Sequence, residues 1–187
     1  MDFEFVIKKL LDGFKKHGIR CAAIGGYALG LWGVERATKD LDFLVHSDDS
    51  EKLHQLMTSL GYKRIFDSEN VSQYQGEVFA LWGYVDFLKA QRPTARKILA
   101  DSAEKTAASG EWKMPAARPE DIIGLKVQAI ANNPDRREKD AADIAALLEI
   151  SRMEGRVVDW KKIESYYRLF SMEEQFKILK ERYAAAR

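Results

Sequence analysis

The sequence predicts an α/β (α+β) protein: a mixed sheet packed by helices in residues 1–92, a helix and hairpin connection over residues 93–118, and a helical lobe over residues 119–187. Three observations carry that prediction. Short apolar runs alternate with amphipathic helical stretches as far as Ala90, turn-forming residues gather between Ala90 and Pro119, and beyond Pro119 the pattern is helical throughout. A chain of 187 residues with 46% hydrophobic content can also bury a substantial core.

Taken in order, Phe3, Val6, Ile7, Leu10, Leu11 and Phe14 recur at helical intervals, and Gly18 is placed to end that helix. Residues 20–24 read as a short buried strand. Residues 26–32 read as a helix despite Gly30, and glycines here and at Gly33 each cost roughly 1 kcal/mol relative to alanine. Residues 40–46 alternate, with Leu41, Phe43 and Val45 on one face and Asp40, Asp42, Leu44 and His46 on the other, so the carboxylates face away from the main core. Asp48 or Asp49 can cap a helix over residues 50–60. The stretch to Ala90 is strand-rich, with turns at Gly61, Gly76 and Gly83. Pro93 opens a short helix, and residues 104–114, with Ser109-Gly110 at their centre, look like a hairpin. Four helical segments follow over residues 119–131, 136–151, 159–169 and 172–184.

The composition narrows the function classes. Thirty Lys and Arg against 29 Asp and Glu leave a formal charge of +1, so no global field recruits nucleic acid or an anionic membrane, and any basic site is local. The lone cysteine, Cys21, permits no intrachain disulfide and reads as a buried small hydrophobe rather than a catalytic thiol. His17, His46 and His54 lack metal-ligand spacing. The amphipathic start is unlike a signal segment, and residues 21–34 are too short and glycine-rich to span a bilayer, so a soluble cytoplasmic protein is expected, without a membrane partner.

The chemistry concentrates in Ile24-Gly25-Gly26 and Asp40-Leu41-Asp42-Phe43. Adjacent glycines let backbone N–H groups approach an anion at a helix start, while aspartates two apart on a strand share a face. Mg²⁺ takes hard oxygen ligands and leaves places for water and phosphate. An Asp-x-Asp pair alone is more often a solvated structural feature; the glycine pair between strand and helix turns the reading toward a metal and a triphosphate. A third carboxylate is needed from another strand, and Asp86 in Tyr84-Val85-Asp86-Phe87-Leu88 is the candidate, with Val78, Ala80 and Trp82 sharing its parity. The competing reading makes Asp86 an exposed edge residue.

With these residues in hand, the chain resembles the DNA polymerase β-type nucleotidyltransferase superfamily. More narrowly, Arg36-Ala37-Thr38-Lys39-Asp40-Leu41-Asp42 is similar to the Arg-x-Thr-x-Asp-Leu-Asp form of AbiE-type (AbiEii-like) toxins and their small relatives. Residues 119–126, which bear Lys126, and residues 137–144, which contain Lys139-Asp140-Ala141-Ala142-Asp143-Ile144, match that family's two C-terminal helices. The resemblance implies that Asp40, Asp42 and Asp86 hold Mg²⁺ (or Mn²⁺), that Gly25 and Gly26 receive the NTP triphosphate, and that Lys126 approaches phosphate. Read from its chemistry alone, Lys126 can equally pair with Asp140 or Asp143 across a helix interface. Arg36 and Thr38 can contact phosphate from the loop before Asp40, though such residues are commonly solvated or turn-forming. The resemblance further implies transfer of a nucleoside monophosphate onto an acceptor hydroxyl, with RNA or tRNA as acceptor and an antitoxin as partner for toxin members; protein or small-molecule acceptors suit the small relatives. Arg136, Arg137 and Lys139 form a local basic cluster compatible with an RNA backbone or simply with a solvated helix start. A module that binds nucleotide or a protein partner without turnover is the competing function. Three acids gathered on one face argue against it, because their repulsion is unfavourable unless a cation offsets it.

Overall fold

The first helix, α1 (Phe3–His17), forms where the apolar spacing places it. The Asp2 side chain accepts the Phe5 N–H at 3.1 Å at its start, and Gly18 ends it with φ 61°, a left-handed conformation that a residue without Cβ takes freely. The computed structural model describes residues 2–107, 110 and 112–184, with residues 79 and 80 described by backbone alone.

Among the described residues, seven strands form one mixed sheet in the order β3-β4-β5-β2-β1-β7-β6. They are β1 (Cys21–Ile24), β2 (Leu41–His46), β3 (Tyr62–Asp67), β4 (Val71–Gly76), β5 (Tyr84–Ala90), β6 (Ala103–Thr106) and β7 (Lys113–Ala116). The centre is mixed: β2 runs antiparallel to β1 and parallel to β5, while β7 runs parallel to β1. Between the strands lie α2 (Gly25–Leu31), α3 (Ser50–Ser59), the single turn α4 (Phe79–Trp82) and α5 (Pro93–Ala100), which Pro93 opens.

Alternation along the strands sorts the sheet into two faces. Phe43 and Phe87 stack at 5.6 Å between ring centroids, and Phe14 and Tyr74 meet these rings edge-on. Leu41, Val45 and Val85 bury the same face completely. The residues of opposite parity, Gln73, Asp42 and Asp86, are half-buried on the other face.

The structure corrects two local expectations and completes a third. Residues 79–82 make a helical turn closed by Gly83 at φ 64°, so strand parity does not extend from Asp86 back through Val78, Ala80 and Trp82. Asp49 precedes α3 but makes no side-chain cap bond. It is buried and accepts the Arg20 backbone N–H at 3.0 Å and the guanidinium at 2.8 and 3.1 Å. The expected hairpin is β6–β7, and through β7 it joins the sheet beside β1; its turn expectation at Ser109 falls outside the described residues.

The hydrogen bond from Arg20 holds the Asp49 carboxyl below the usual carboxylate range. A group with a depressed folded pKa adds stability above its unfolded value, about 3.9, and loses it as pH falls through the folded value. Asp49→Asn should therefore be less stable than wild type near neutrality, with the gap closing in acid; urea midpoints across a pH series measure this.

The chain divides into two compact units, one of residues 1–31 and 36–117 and the other of residues 32–35 and 118–187. In the second, the described helices are α6 (Pro119–Asn132), α7 (Arg137–Met153), α8 (Trp160–Leu169) and α9 (Glu173–Ala184). The Tyr166 ring lies where a Cβ on Gly124 would stand, at 2.6 Å, which lets α8 approach α6 closely. The buried Asp121 accepts from the Tyr166 hydroxyl at 2.6 Å and from Lys162 Nζ at 2.7 Å. Trp32 belongs to this unit: the Arg156 guanidinium lies 5.1 Å above its ring and donates to its carbonyl at 3.0 Å. No helix among the described residues is long and apolar enough to cross a membrane.

Candidate active site

Strand register does most of the assembly. Asp42 on β2 pairs with Ile24 at the end of β1 on one side and with Asp86 on β5 on the other. The two carboxylates thus spring from neighbouring strands at the same level, on the face opposite the aromatic core. Asp40 lies just before β2, exposed, and its charge reaches Asp86.

Burial pushes the Asp86 carboxyl above its ordinary range, a hydrogen bond from Gln73 opposes that shift, and the Asp40 charge adds to it. Gln73 Nε2 donates to Asp86 Oδ2 at 2.9 Å.

The glycine pair sits against this acid group. Gly25 follows β1 with φ 63°, and a Cβ there would collide with the Asp42 carboxylate. At Gly26 an added Cβ would meet Thr38 Oγ1 at 2.8 Å and Thr38 Cβ at 3.0 Å, with Arg36 next at 3.6 Å. Thr38 Oγ1 donates to the Asp40 carbonyl at 3.0 Å, which pins the loop leading into β2. The glycines therefore admit a carboxylate and a loop to the backbone, a second use for the space that a phosphate approach requires. Gly25→Ala combines an unfavourable left-handed φ with displacement of Asp42. It should destabilise the protein by about 1–3 kcal/mol and weaken Mn²⁺ binding, as read by denaturant titration and by a metal titration.

Lys126 belongs to α6 of the helical unit. Its Nζ is 2.8 Å from Asp140 Oδ1 and 2.5 Å from Asp143 Oδ2, with only 9% of the side chain exposed. Two of its three donors are committed to carboxylates. The pairing expected with Asp140 or Asp143 is thus made with both carboxylates. Arg136 likewise binds Asp140, at 2.9 Å, which ties one cation of the basic cluster to the helix it precedes.

Among the described residues, no three His, Cys, Asp or Glu side chains converge into a ready metal cage. The donor chemistry nevertheless suits a hard divalent cation. Asp40, Asp42 and Asp86 offer hard oxygen donors, and the burial and like-charge repulsion acting on Asp86 are effects that a cation there would offset. The Cys21 thiol is pushed up to about 12 by burial and so stays protonated, which removes it as a nucleophile. A cavity of about 670 Å³, bounded by Phe14, Gly18, Cys21, Leu99 and Trp112, lies toward the opposite end of β1 from Ile24 and contains none of the site acids.

Gln73 is the site residue that sequence reasoning missed. Its signal was present in the Val71–Gly76 alternation, but the contact depends on which residue of β5 it faces.

No protein-family model and no curated protein matches the chain. Solved structures do. The antibiotic-resistance factor ANT(2'')-Ia, studied in solution, superposes with a TM-score of 0.64 at 15% identity, covering 97% of this chain and 98% of that one. The same protein in complex with adenylyl-2''-tobramycin gives 0.64 at 15% identity over 89% and 95%. The lincosamide antibiotic adenylyltransferase LnuA, bound to lincomycin, gives 0.55 at 19% identity over 80% and 98%. An antigenic nucleotidyltransferase-like protein from Paracoccidioides brasiliensis gives 0.58 at 19% identity over 80% and 76%. The chain shares the fold of these proteins.

Proposed function

We propose that the chain transfers a nucleoside monophosphate from an NTP to an acceptor hydroxyl and releases pyrophosphate. The observation that carries this reading is the register pairing of Asp42 with Asp86, beside Gly25 and within reach of the Asp40 charge. In this reading Asp40, Asp42 and Asp86 hold Mg²⁺ or Mn²⁺, while Gly25, Gly26, Arg36 and Thr38 line the triphosphate. Bound divalent cations would neutralise phosphate charge and aid both the attacking and the departing oxygen. The acceptor oxygen bonds to the α-phosphorus as the bond from that phosphorus to the α,β-bridging oxygen breaks. Pyrophosphate carries away the bonding electrons, and Asp86 accepts the hydroxyl proton. Lys126 serves the helical unit through Asp140 and Asp143.

A small polyol or amino-sugar hydroxyl is the first choice of acceptor. Support comes from the fold shared with a lincosamide antibiotic adenylyltransferase and with a resistance factor seen with an adenylylated tobramycin. An RNA acceptor is the second reading, favoured by the AbiE-type form of residues 36–42 and by the exposed Arg137 and Lys139; an antitoxin partner goes with it. Incubation with each labelled NTP, Mg²⁺ or Mn²⁺, and separate pools of aminoglycosides, lincosamides, total RNA and protein tests both. Label in a drug supports the first choice, and label in RNA the second. No label in any pool, with no pyrophosphate released, overturns the enzymatic reading in favour of a nucleotide-binding module.

A further inference from the structure

Three side chains form a row across three neighbouring strands. Gln73 faces Asp86 in the β4–β5 register, and Asp86 faces Asp42 in the β5–β2 register. All three are half-buried on the face opposite the aromatic core. Neighbouring strands lie about 4.8 Å apart, so Gln73 stands two strands from Asp42 and acts on the site through Asp86.

We propose that Gln73 is a positioning residue that fixes Asp86 for divalent-cation binding, an inference that rests on the nucleotidyl-transfer reading. Its Nε2 engages Oδ2 at 2.9 Å, which sets the rotation of the carboxylate and leaves Oδ1 to other partners. The residue type suits the task. An apolar side chain would leave a half-buried carboxylate oxygen without this donor, and a second acid would repel it. A lysine or arginine would neutralise the charge that a cation needs. A carboxamide supplies a directional donor and leaves the full negative charge in place.

The test uses the full chain and Mn²⁺ as probe, with a fixed concentration of a non-hydrolysable ATP analogue and free Mn²⁺ followed by electron paramagnetic resonance. Gln73→Met keeps the length and removes the donor. It should weaken Mn²⁺ binding by roughly 10-fold or more, the range seen when a ligand loses its supporting hydrogen bond. Gln75→Met, on the same face of β4 but opposite Tyr84, should bind Mn²⁺ as wild type does. A merely structural pair would lower the melting temperature of Gln73→Met and leave its Mn²⁺ affinity unchanged, and that result overturns the inference. If Gln73→Met does not fold, Gln73→Asn, whose amide is one methylene short, takes its place with the same expected direction. A wild-type chain that binds no Mn²⁺ with the analogue defeats the nucleotidyl-transfer reading itself, which separates the two failures.

Discussion

Replacing Asp42 or Asp86 by asparagine should lower nucleotidyl transfer by at least about 100-fold, the loss expected when several kcal/mol of charge stabilisation leaves a metal-dependent transition state. The substitutions keep shape and packing and remove charge, so folding should survive. For Asp86 the stability change has a defined sign. Its carboxyl is raised by burial first, and by the Asp40 charge, against the Gln73 hydrogen bond. A group raised in the folded state favours folding while protonated, and that contribution is lost as pH rises through the folded pKa. Near neutrality the ionised Asp86 therefore weighs against the fold, and without metal Asp86→Asn should melt above wild type. A variant that is more stable and inactive is the pattern expected of a charge kept for function. Near-normal turnover by Asp86→Asn with metal bound would remove its role as proton acceptor, and near-normal turnover by Asp42→Asn would count against the metal assignment. Steady-state kinetics with the identified acceptor and metal-free melting curves give both readouts.

Lys126→Met should destabilise the helical unit by roughly 3–5 kcal/mol, the range for breaking a buried ion pair by removing one partner. The side chain of Asp140 is fully buried and that of Asp143 is 8% exposed, so each carboxylate left behind is poorly solvated. Arg136 remains on Asp140 and should bring the loss toward the lower end. Adding Asp143→Leu should recover part of it, because one uncompensated charge leaves with the substitution. The effect is pH-dependent. Burial works to raise the Asp140 carboxyl, yet hydrogen bonds from Arg136 and Lys126 outweigh it and hold the group below the usual range. The stability it supplies is present above the unfolded carboxylate pKa and disappears as pH falls through the folded value, so wild type and Lys126→Met should converge in acid. Urea unfolding at neutral and acidic pH measures both the size and the convergence.

Local chemistry explains what could be read from the chain before its structure. The α1 periodicity and its Gly18 stop, the Asp42 strand, the Pro93 and Pro119 helix starts and the β6–β7 hairpin are each set within a few residues of sequence. The candidate acids could also be listed, since parity alone puts Asp42 and Asp86 off the core side of their strands. What could not be read was pairing across distance. Nothing near residue 73 says that its strand faces Asp86, and nothing near residue 115 says that β7 lies beside β1. Asp49 shows the same difficulty in one side chain: a carboxylate before a helix looks like a cap, but Arg20, far back in sequence, offers a charged fork and a backbone N–H together. Residues 78–82 show the opposite failure, in which a short apolar run satisfies strand and helix patterns alike until Gly83 turns the chain.

The tie between Trp32 and Arg156 bears on how this protein can be cut and recombined. Residues 32–35 belong with the helices after Arg118, although they are encoded between α2 and β2. A fragment beginning at Arg118 would lose the ring beneath the Arg156 guanidinium and the carbonyl that it binds. The helical part is therefore not a cassette that one cloning junction can excise. Exchanging it between related chains requires a graft in two pieces, one of them four residues long and set just ahead of Arg36, within the spacer that separates the glycine pair from the first aspartate.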